Sequence, residues 1–193
     1  MRWCSGIWAI CFLTFAPATM GFGQDLPNLR EARDLVFAER GAIEWQIIPH
    51  ESLSATDLAT IEQINDIQPQ PYYAAMAIAP GEGLAAETTA LAANYHDEDN
   101  AREAALAACN AARQGGAECV VVLVIRPRGW EPERSLQLST DATAALRTDY
   151  RRLPRQSRAM AISPETGQWG IGESHDAALE SCDAADCQVV VEG

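Results

Sequence analysis

The sequence predicts an α+β fold in which two β-β-α-β repeat units form one mixed sheet with helices packed on it. Related segments occupy residues 72–126 and 157–193, each has short apolar runs around an alanine-rich helical segment, and each carries two cysteines in the same frame. Similarity that recurs over several separated blocks indicates one supersecondary unit used twice. An N-terminal helix and strand extension, residues 24–71, precedes the first unit.

The two segments share the frame A-M-A-I-[AS]-P, a glycine-bearing turn, A-A-L-x-x-C-[ND]-A-A and [ED]-C-x-V-V. The shared positions are mainly Ala, Ile, Val, Pro and Cys, which build cores and cross-links. We therefore expect the shared part to be scaffold and any function to lie in residues that the two units do not share. The corresponding blocks are Ala75–Pro80 with Ala159–Pro164, Ala104–Cys109 with Ala177–Cys182, and Cys119–Val122 with Cys187–Val190.

The first 23 residues have the layout of a secretory signal. Arg2 precedes an apolar run over residues 7–16, and small residues follow, with cleavage expected after Ala18 or Gly23. The run is shorter than the roughly 20 apolar residues of a membrane span. The sequence therefore predicts a periplasmic or secreted protein with no stable membrane span after the signal is removed.

The chain is strongly acidic and contains no lysine. It has 27 acidic residues against 14 arginines, one of which belongs to the signal. Such a surface repels nucleic acid, and we expect a protein or an envelope component as the partner. The absence of lysine excludes a pyridoxal-phosphate Schiff base, a Walker-type phosphate loop and a kinase-type lysine. We predict no cofactor and assign no catalytic, cofactor-binding or metal-binding residue.

Four cysteines remain after signal removal, and an even number in an exported protein indicates disulfides. Since each unit carries its own pair, we predict Cys109–Cys119 and Cys182–Cys187. Pairing between units, such as Cys119 with Cys187, stays open. A zinc site is the other use of four thiols, but the chain lacks C-x-x-C spacing.

Local patterns place the elements. In the extension, a helix over residues 25–40 ends at Gly41, a strand covers 42–48, and Ser54 caps a helix that ends before Pro69. In unit 1, strands cover 72–79, 87–95 and 119–125, and Asn100 with Glu103 starts a helix through Arg113. A linker, residues 127–156, contains a helix capped by Ser139 or Thr140. In unit 2, Ser174 caps the helix, and strands cover 159–163, 168–171 and 188–191.

Residues 72–191 resemble a family of small exported bacterial domains of unknown function. The likeness is carried by the A-x-A-x-S…G…AxxxC…CxVV repeat, seen most clearly in Ala161-Ile162-Ser163, Thr166–Gly170 and Cys182 with Cys187–Val190. The first unit departs from the pattern because Leu84 stands near the place of the turn aromatic. The resemblance implies an exported domain that contains cystines, and it implies no activity.

The run from residue 96 to residue 99 is the sharpest polar cluster: His96, Asp97, Glu98, Asp99. One interpretation is a divalent-cation site or a general base, as in a small periplasmic hydrolase-like protein. The other is a solvated loop whose acids favour the start of the following helix. His175 and Asp176 allow the same two interpretations, and Ser174 is better explained as a helix cap than as a nucleophile.

A second cluster consists of arginines within a dozen residues. It is either a site for an anion or carboxylate ligand, or it pairs with acids near Asp183 and Asp186 or with the end of the preceding helix. The members are Arg147, Arg151, Arg152, Arg155 and Arg158. On balance, the sequence favours an exported, disulfide-stabilised, non-enzymatic binding or structural module of unknown ligand.

Overall fold

A computed structural model describes residues 25–41, 43–132 and 134–193, so the predicted signal lies outside the described residues. The fold is α+β, as predicted. The helices are α1 (Leu29–Leu35), α2 (Ala55–Ile67), α3 (Glu98–Ala112), α4 (Thr140–Arg147) and α5 (His175–Cys182), with a 3-10 turn at Tyr150–Arg152. The strands are β1 (Ile43–Ile47), β2 (Ala74–Ile78), β3 (Ala90–Ala92), β4 (Val120–Pro127), β5 (Ala159–Ile162), β6 (Trp169–Gly172) and β7 (Gln188–Glu192).

The strands form two antiparallel sheets, so the prediction of one mixed sheet is wrong. The first sheet has the order β1-β4-β2-β3 and the second has the order β6-β5-β7. In the first sheet, β1 from the extension pairs with β4 along its full length, with Ile43 opposite Pro127 and Ile47 opposite Leu123. β1 thus occupies this edge of β4, and the strands of the second unit form a separate sheet.

The two segments from β2 to β4 and from β5 to β7 have the same topology. In each, the last strand pairs with the first strand and the second strand lies at the edge. The pairing of β2 with β4 shifts register between Met76 and Ala77. The pairing of β5 with β7 shifts register between Met160 and Ala161. These positions correspond in the A-M-A-I-[AS]-P frame, so the same residue pattern is followed by the same β-bulge.

The first sheet carries a helix on each face. Ala75 and Ala77 of β2 pack in one cluster with Ala101 and Ala105 of α3, where the small side chains allow a close approach. The other face contains Ile61 of α2 with several strand residues. Among the isoleucines of α2, Ile61 is fully buried, whereas Ile64 and Ile67 are exposed. The members of the second cluster are Ile61, Ala74, Leu123 and Ile125.

The second sheet has α5 on one face and the largest core cluster on the other. Ala159 and Ala161 of β5 pack against Ala178 and Cys182 of α5. On the opposite face, β5 and β7 contact α1, α4 and the segment before α4. That cluster contains Ala32, Val36, Leu136, Leu138, Ala142, Ala145, Leu146, Tyr150, Met160, Ile162 and Val191. Residues of the extension and the linker therefore complete the core of the second unit.

Helix starts follow the predicted caps with one exception. Ser54, Ser139 and Ser174 each accept a backbone N–H at the helix start. The N-x-x-E prediction for Asn100 is wrong, because α3 begins at Glu98 and its cap is Asp97. The Asp97 carboxylate accepts the Asn100 N–H at 2.8 Å, and a carboxylate is as good a cap as an amide.

Within the described ranges, no helix is both long enough and apolar enough to cross a membrane.

Candidate functional site

His96 is a buried link between segments, not an exposed loop residue. Its side chain is 1% exposed, its Nδ1 accepts the Ser139 N–H at 3.1 Å, and its Nε2 lies 2.9 Å from the Gln168 carbonyl oxygen. A backbone N–H can only donate, so Nδ1 is the acceptor and Nε2 carries the proton. Through these hydrogen bonds the imidazole connects the segment between β3 and α3 to the start of α4 and to unit 2.

Burial lowers the pKa of His96 from its ordinary value. Hydrogen bonding to Gln168 and the charges of Asp97 and Asp186 act in the opposite direction and do not overcome it. A neutral imidazole with both nitrogens bonded to the main chain has no position left for a substrate proton. The geometry therefore gives His96 a structural role.

The three acids after His96 point to different partners. Asp97 caps α3, and Asp99 is an exposed residue of its first turn. Glu98 is buried and forms ion pairs with Arg102 of the same helix and with Arg126 of β4. Among the residues that the structure describes, no group of three or more His, Cys, Asp or Glu side chains converges to hold a metal ion.

The Glu98 pair fixes α3 on the sheet. Burial opposes ionisation of Glu98, but hydrogen bonds from Arg126 and Arg102 outweigh it and lower the pKa of this carboxyl. The Arg126 guanidinium also lies over the Trp130 ring, 4.3 Å from its centre, and donates to Gln46. The segment for which a solvated loop is one interpretation thus contains a buried ion-paired residue, which the charge pattern alone did not indicate.

The second histidine cluster is a helix start at the surface. Ser174 accepts the Ala177 N–H at 3.1 Å, as expected of a cap. His175 is exposed and its Nε2 lies 2.9 Å from a Glu192 carboxylate oxygen. Asp176 lies in the first turn of α5, where the helix dipole favours a negative charge.

Both predicted disulfides are present. Cys109–Cys119 joins the last turns of α3 to the residue before β4, and Cys182–Cys187 joins the end of α5 to the residue before β7. The Cα atoms are 6.1 Å and 6.3 Å apart. Each cystine therefore closes the helix-to-strand connection of its own unit, and no thiol of these four is available as a nucleophile.

The arginine cluster surrounds a cavity of about 810 Å³, which we call the arginine cavity. Arg147, Arg151, Arg155 and Arg158 of the predicted cluster line it, and Arg30 and Arg33 of α1 line it as well. Arg152 instead pairs with Asp149, at 2.9 Å, at an exposed position. Sequence reasoning missed Arg30 and Arg33, although their i, i+3 spacing on a predicted helix places them on one face.

Two of these arginines have hydrogen-bond or ion-pair partners within the protein. Arg158 is 5% exposed and donates to the main-chain oxygens of Gly193, at 3.0 Å, and Arg151, at 3.4 Å. Arg147 lies 3.0 Å from a Glu39 carboxylate oxygen. The expected pairing of the cluster with Asp183 and Asp186 is absent from the described part of the chain.

Asp186 has other partners. Its carboxylate accepts the Ser163 hydroxyl and the Glu165 N–H, and these hydrogen bonds lower the pKa of Asp186. Asp183 is the left-handed C-cap of α5. Asp183 and Asp186 are thus engaged in the turns of unit 2 and do not pair with the arginine cluster.

No protein family, curated protein or solved structure matches this chain.

Proposed function

We propose that this protein is an exported, disulfide-stabilised, non-enzymatic module that binds its ligand in the arginine cavity. One observation carries the proposal. The polar residues nearest to a catalytic pattern have structural partners, whereas the arginine cavity is an open space lined by six cationic side chains. Cationic groups around an open cavity are typical of binding sites for anions.

The module consists, in this proposal, of a duplicated unit with additions that form the site. The common strand order and the corresponding bulges support duplication. The arginines of the cavity lie outside the shared frame, in α1, α4 and the segment that leads to β5. We also propose that the chain belongs with the small exported bacterial domains of unknown function that its repeat resembles.

Export is supported by the signal-like first 23 residues and by two cystines, which persist in oxidising compartments. Expression of the full chain in a Gram-negative bacterium, followed by fractionation and mass spectrometry, tests it. We expect periplasmic or secreted protein that begins at residue 19 or 24 and has no free thiol. A cytoplasmic chain with an intact N-terminus and six free thiols would contradict export.

Binding without chemistry is tested with the small-molecule fraction of a bacterial envelope extract. The processed protein is incubated with this fraction and washed, and the retained compounds are released and identified by mass. We expect an anionic compound that is released with unchanged mass after prolonged incubation. Steady conversion of the retained compound into a product would contradict a non-enzymatic module.

The rival function, a hydrolase-like or cation-binding protein that uses residues 96–99, requires these side chains to converge on one point. Instead, His96 bonds to the main chain and Asp97 caps α3. Glu98 pairs with arginines, and Asp99 is exposed to solvent. The geometry therefore favours the arginine cavity over this loop as the place where a ligand binds.

A further inference from the structure

We propose that the arginine cavity takes a small organic anion that carries two or more phosphate or carboxylate groups. This inference rests on the proposed binding function and names its ligand class. Among the described residues, six arginines and a single acidic side chain, Asp34, line the cavity, although the chain as a whole has 27 acidic residues and 14 arginines. Cations concentrated against the overall charge create a local field that attracts an anion.

Arg158 is the cavity arginine with the most contacts to the protein's own main chain. Its two terminal nitrogens donate hydrogen bonds to the main-chain oxygens of Tyr150, Arg151 and Gly193, and its guanidinium lies 4.9 Å from the centre of the Tyr150 ring. These contacts fix the guanidinium plane. Its buried Nε has no hydrogen-bond partner in the part of the chain that the structure describes. Because this atom is buried, its missing acceptor costs stability, and the guanidinium serves as a fixed positive charge in the wall of the cavity.

Four further arginines provide adjustable donors. Their side chains are exposed, and no carboxylate of the described residues lies within ion-pair distance of them. A guanidinium binds phosphate or carboxylate through two parallel N–H groups, and it keeps its charge at every physiological pH. These arginines are Arg30 and Arg33 of α1, and Arg151 and Arg155 before β5.

The arrangement favours a ligand with more than one anionic group. The arginines come from two separate segments, α1 and residues 147–158. A ligand with one charge neutralises few of these cations, whereas two or more groups can bridge the two segments. The volume of about 810 Å³ is within the range of small-molecule sites and exceeds the need of a single phosphate ion.

The remaining surface favours a compact ligand over a polymer. The chain carries a formal net charge of −13. Outside the cavity, a long polyanion such as a nucleic acid would meet this excess of negative charge and be repelled. A small molecule whose charges all fit inside the cavity avoids this repulsion.

Calorimetric titration of the processed protein with three probes tests the proposal. Sodium tripolyphosphate, citrate and acetate are compared at one ionic strength of about 0.15 M, so that general screening is constant. We expect tripolyphosphate or citrate to bind with a Kd below about 1 mM and at least about tenfold more tightly than acetate. Binding by only one of the two polyanions would identify phosphate or carboxylate as the preferred group.

A matched pair of double variants locates the binding. Arg151→Gln with Arg155→Gln removes two exposed cavity cations, and we expect it to weaken polyanion binding about tenfold or more. Arg40→Gln with Arg128→Gln removes the same charge from exposed positions that do not line the cavity. We expect this control to change the Kd by less than about threefold, which is the effect of net charge alone.

Three results would overturn the inference: no polyanion binding at about 10 mM, equal binding of acetate and the polyanions, or equal weakening by both double variants. If the protein is exported with both cystines and retains some other compound unchanged, this inference alone fails. If the protein remains in the cytoplasm with free thiols, or converts what it binds, the proposed function fails.

Discussion

At the scale of single residues, His96 shows how a residue suited to catalysis serves the fold. Its two nitrogens bond to the main chain at Ser139 and Gln168, which are distant from it in sequence. The sequence revealed a histidine beside three acids, and that pattern is equally typical of a metal site, a general base or a helix start. Only tertiary contacts decide among these, because the partners are backbone atoms and leave no pattern in the sequence.

The neutral state of His96 predicts a loss of stability in acid. The pKa is lowered in the folded state, so the unfolded chain binds the proton first as pH falls below about 6.5. The contribution of the neutral imidazole to the free energy of unfolding is fully present above that pH and is lost as pH falls toward the folded-state pKa. At about pH 5.5 the free energy of unfolding should decrease by up to about 1.4 kcal/mol relative to its value above about pH 7.5.

Urea unfolding of the His96→Gln variant checks this prediction. We expect a loss of about 2 kcal/mol at neutral pH, since the Ser139 N–H loses its acceptor, and a weaker dependence on pH than in the parent protein. The exposed His175→Gln variant serves as the control and should retain the parent's loss in acid. If His96→Gln kept the full pH dependence, the neutral buried imidazole would be refuted.

At the scale of elements, the two units solve the same packing problem with different residues. In unit 2, Gly170 and Gly172 of β6 lie directly under α5, and in the paired register they oppose Ala161 and Ala159. In unit 1, Ala90 and Ala92 oppose Ala77 and Ala75 in the same way. The Gly170-Ile171-Gly172 sequence is thus explained by the close contact between α5 and β6.

Replacement of Gly170 by alanine should strongly destabilise the protein. The added Cβ would lie 2.2 Å from the Cys182 nitrogen and 2.4 Å from the Ala178 carbonyl oxygen, and both are backbone atoms that cannot move independently of α5. We expect a cost of about 3 kcal/mol in urea unfolding. In the control, Gly41→Ala, the nearest atom is 3.3 Å away, and the cost should be clearly smaller. Equal costs would contradict the proposed contact.

Each cystine should stabilise its own unit by a similar amount. The bridged residues are 10 and 5 positions apart. In the chain-entropy model, loops of these lengths contribute about 2–3 kcal/mol each, with the longer loop contributing slightly more. We expect Cys109→Ser with Cys119→Ser, and Cys182→Ser with Cys187→Ser, to lower the urea midpoint by comparable amounts. An unchanged midpoint in either double variant would show that its bridge contributes no stability.

At the scale of the whole molecule, local patterns predicted most elements and both cystines but not how the units combine. Hydrophobic runs predicted the strands and capping residues predicted three of the helix starts, because strands and helix starts depend on residues that are neighbours in the sequence. The number of sheets was predicted wrongly, since the pairing of strands far apart in sequence, such as β1 with β4, leaves no local pattern. The arginine cluster was recognised, but its completion by Arg30 and Arg33 depends on where α1 packs.

The position of the ligand is the central claim, and NMR mapping tests it most directly. Amide spectra of the ¹⁵N-labelled processed protein are recorded during titration with sodium tripolyphosphate. We predict saturable shifts in residues 28–34 and 147–158, around the arginine cavity, with the amides of residues 96–100 unaffected. Shifts centred on residues 96–100, or no saturable shifts at all, would contradict the claim that this module binds its ligand through the arginines.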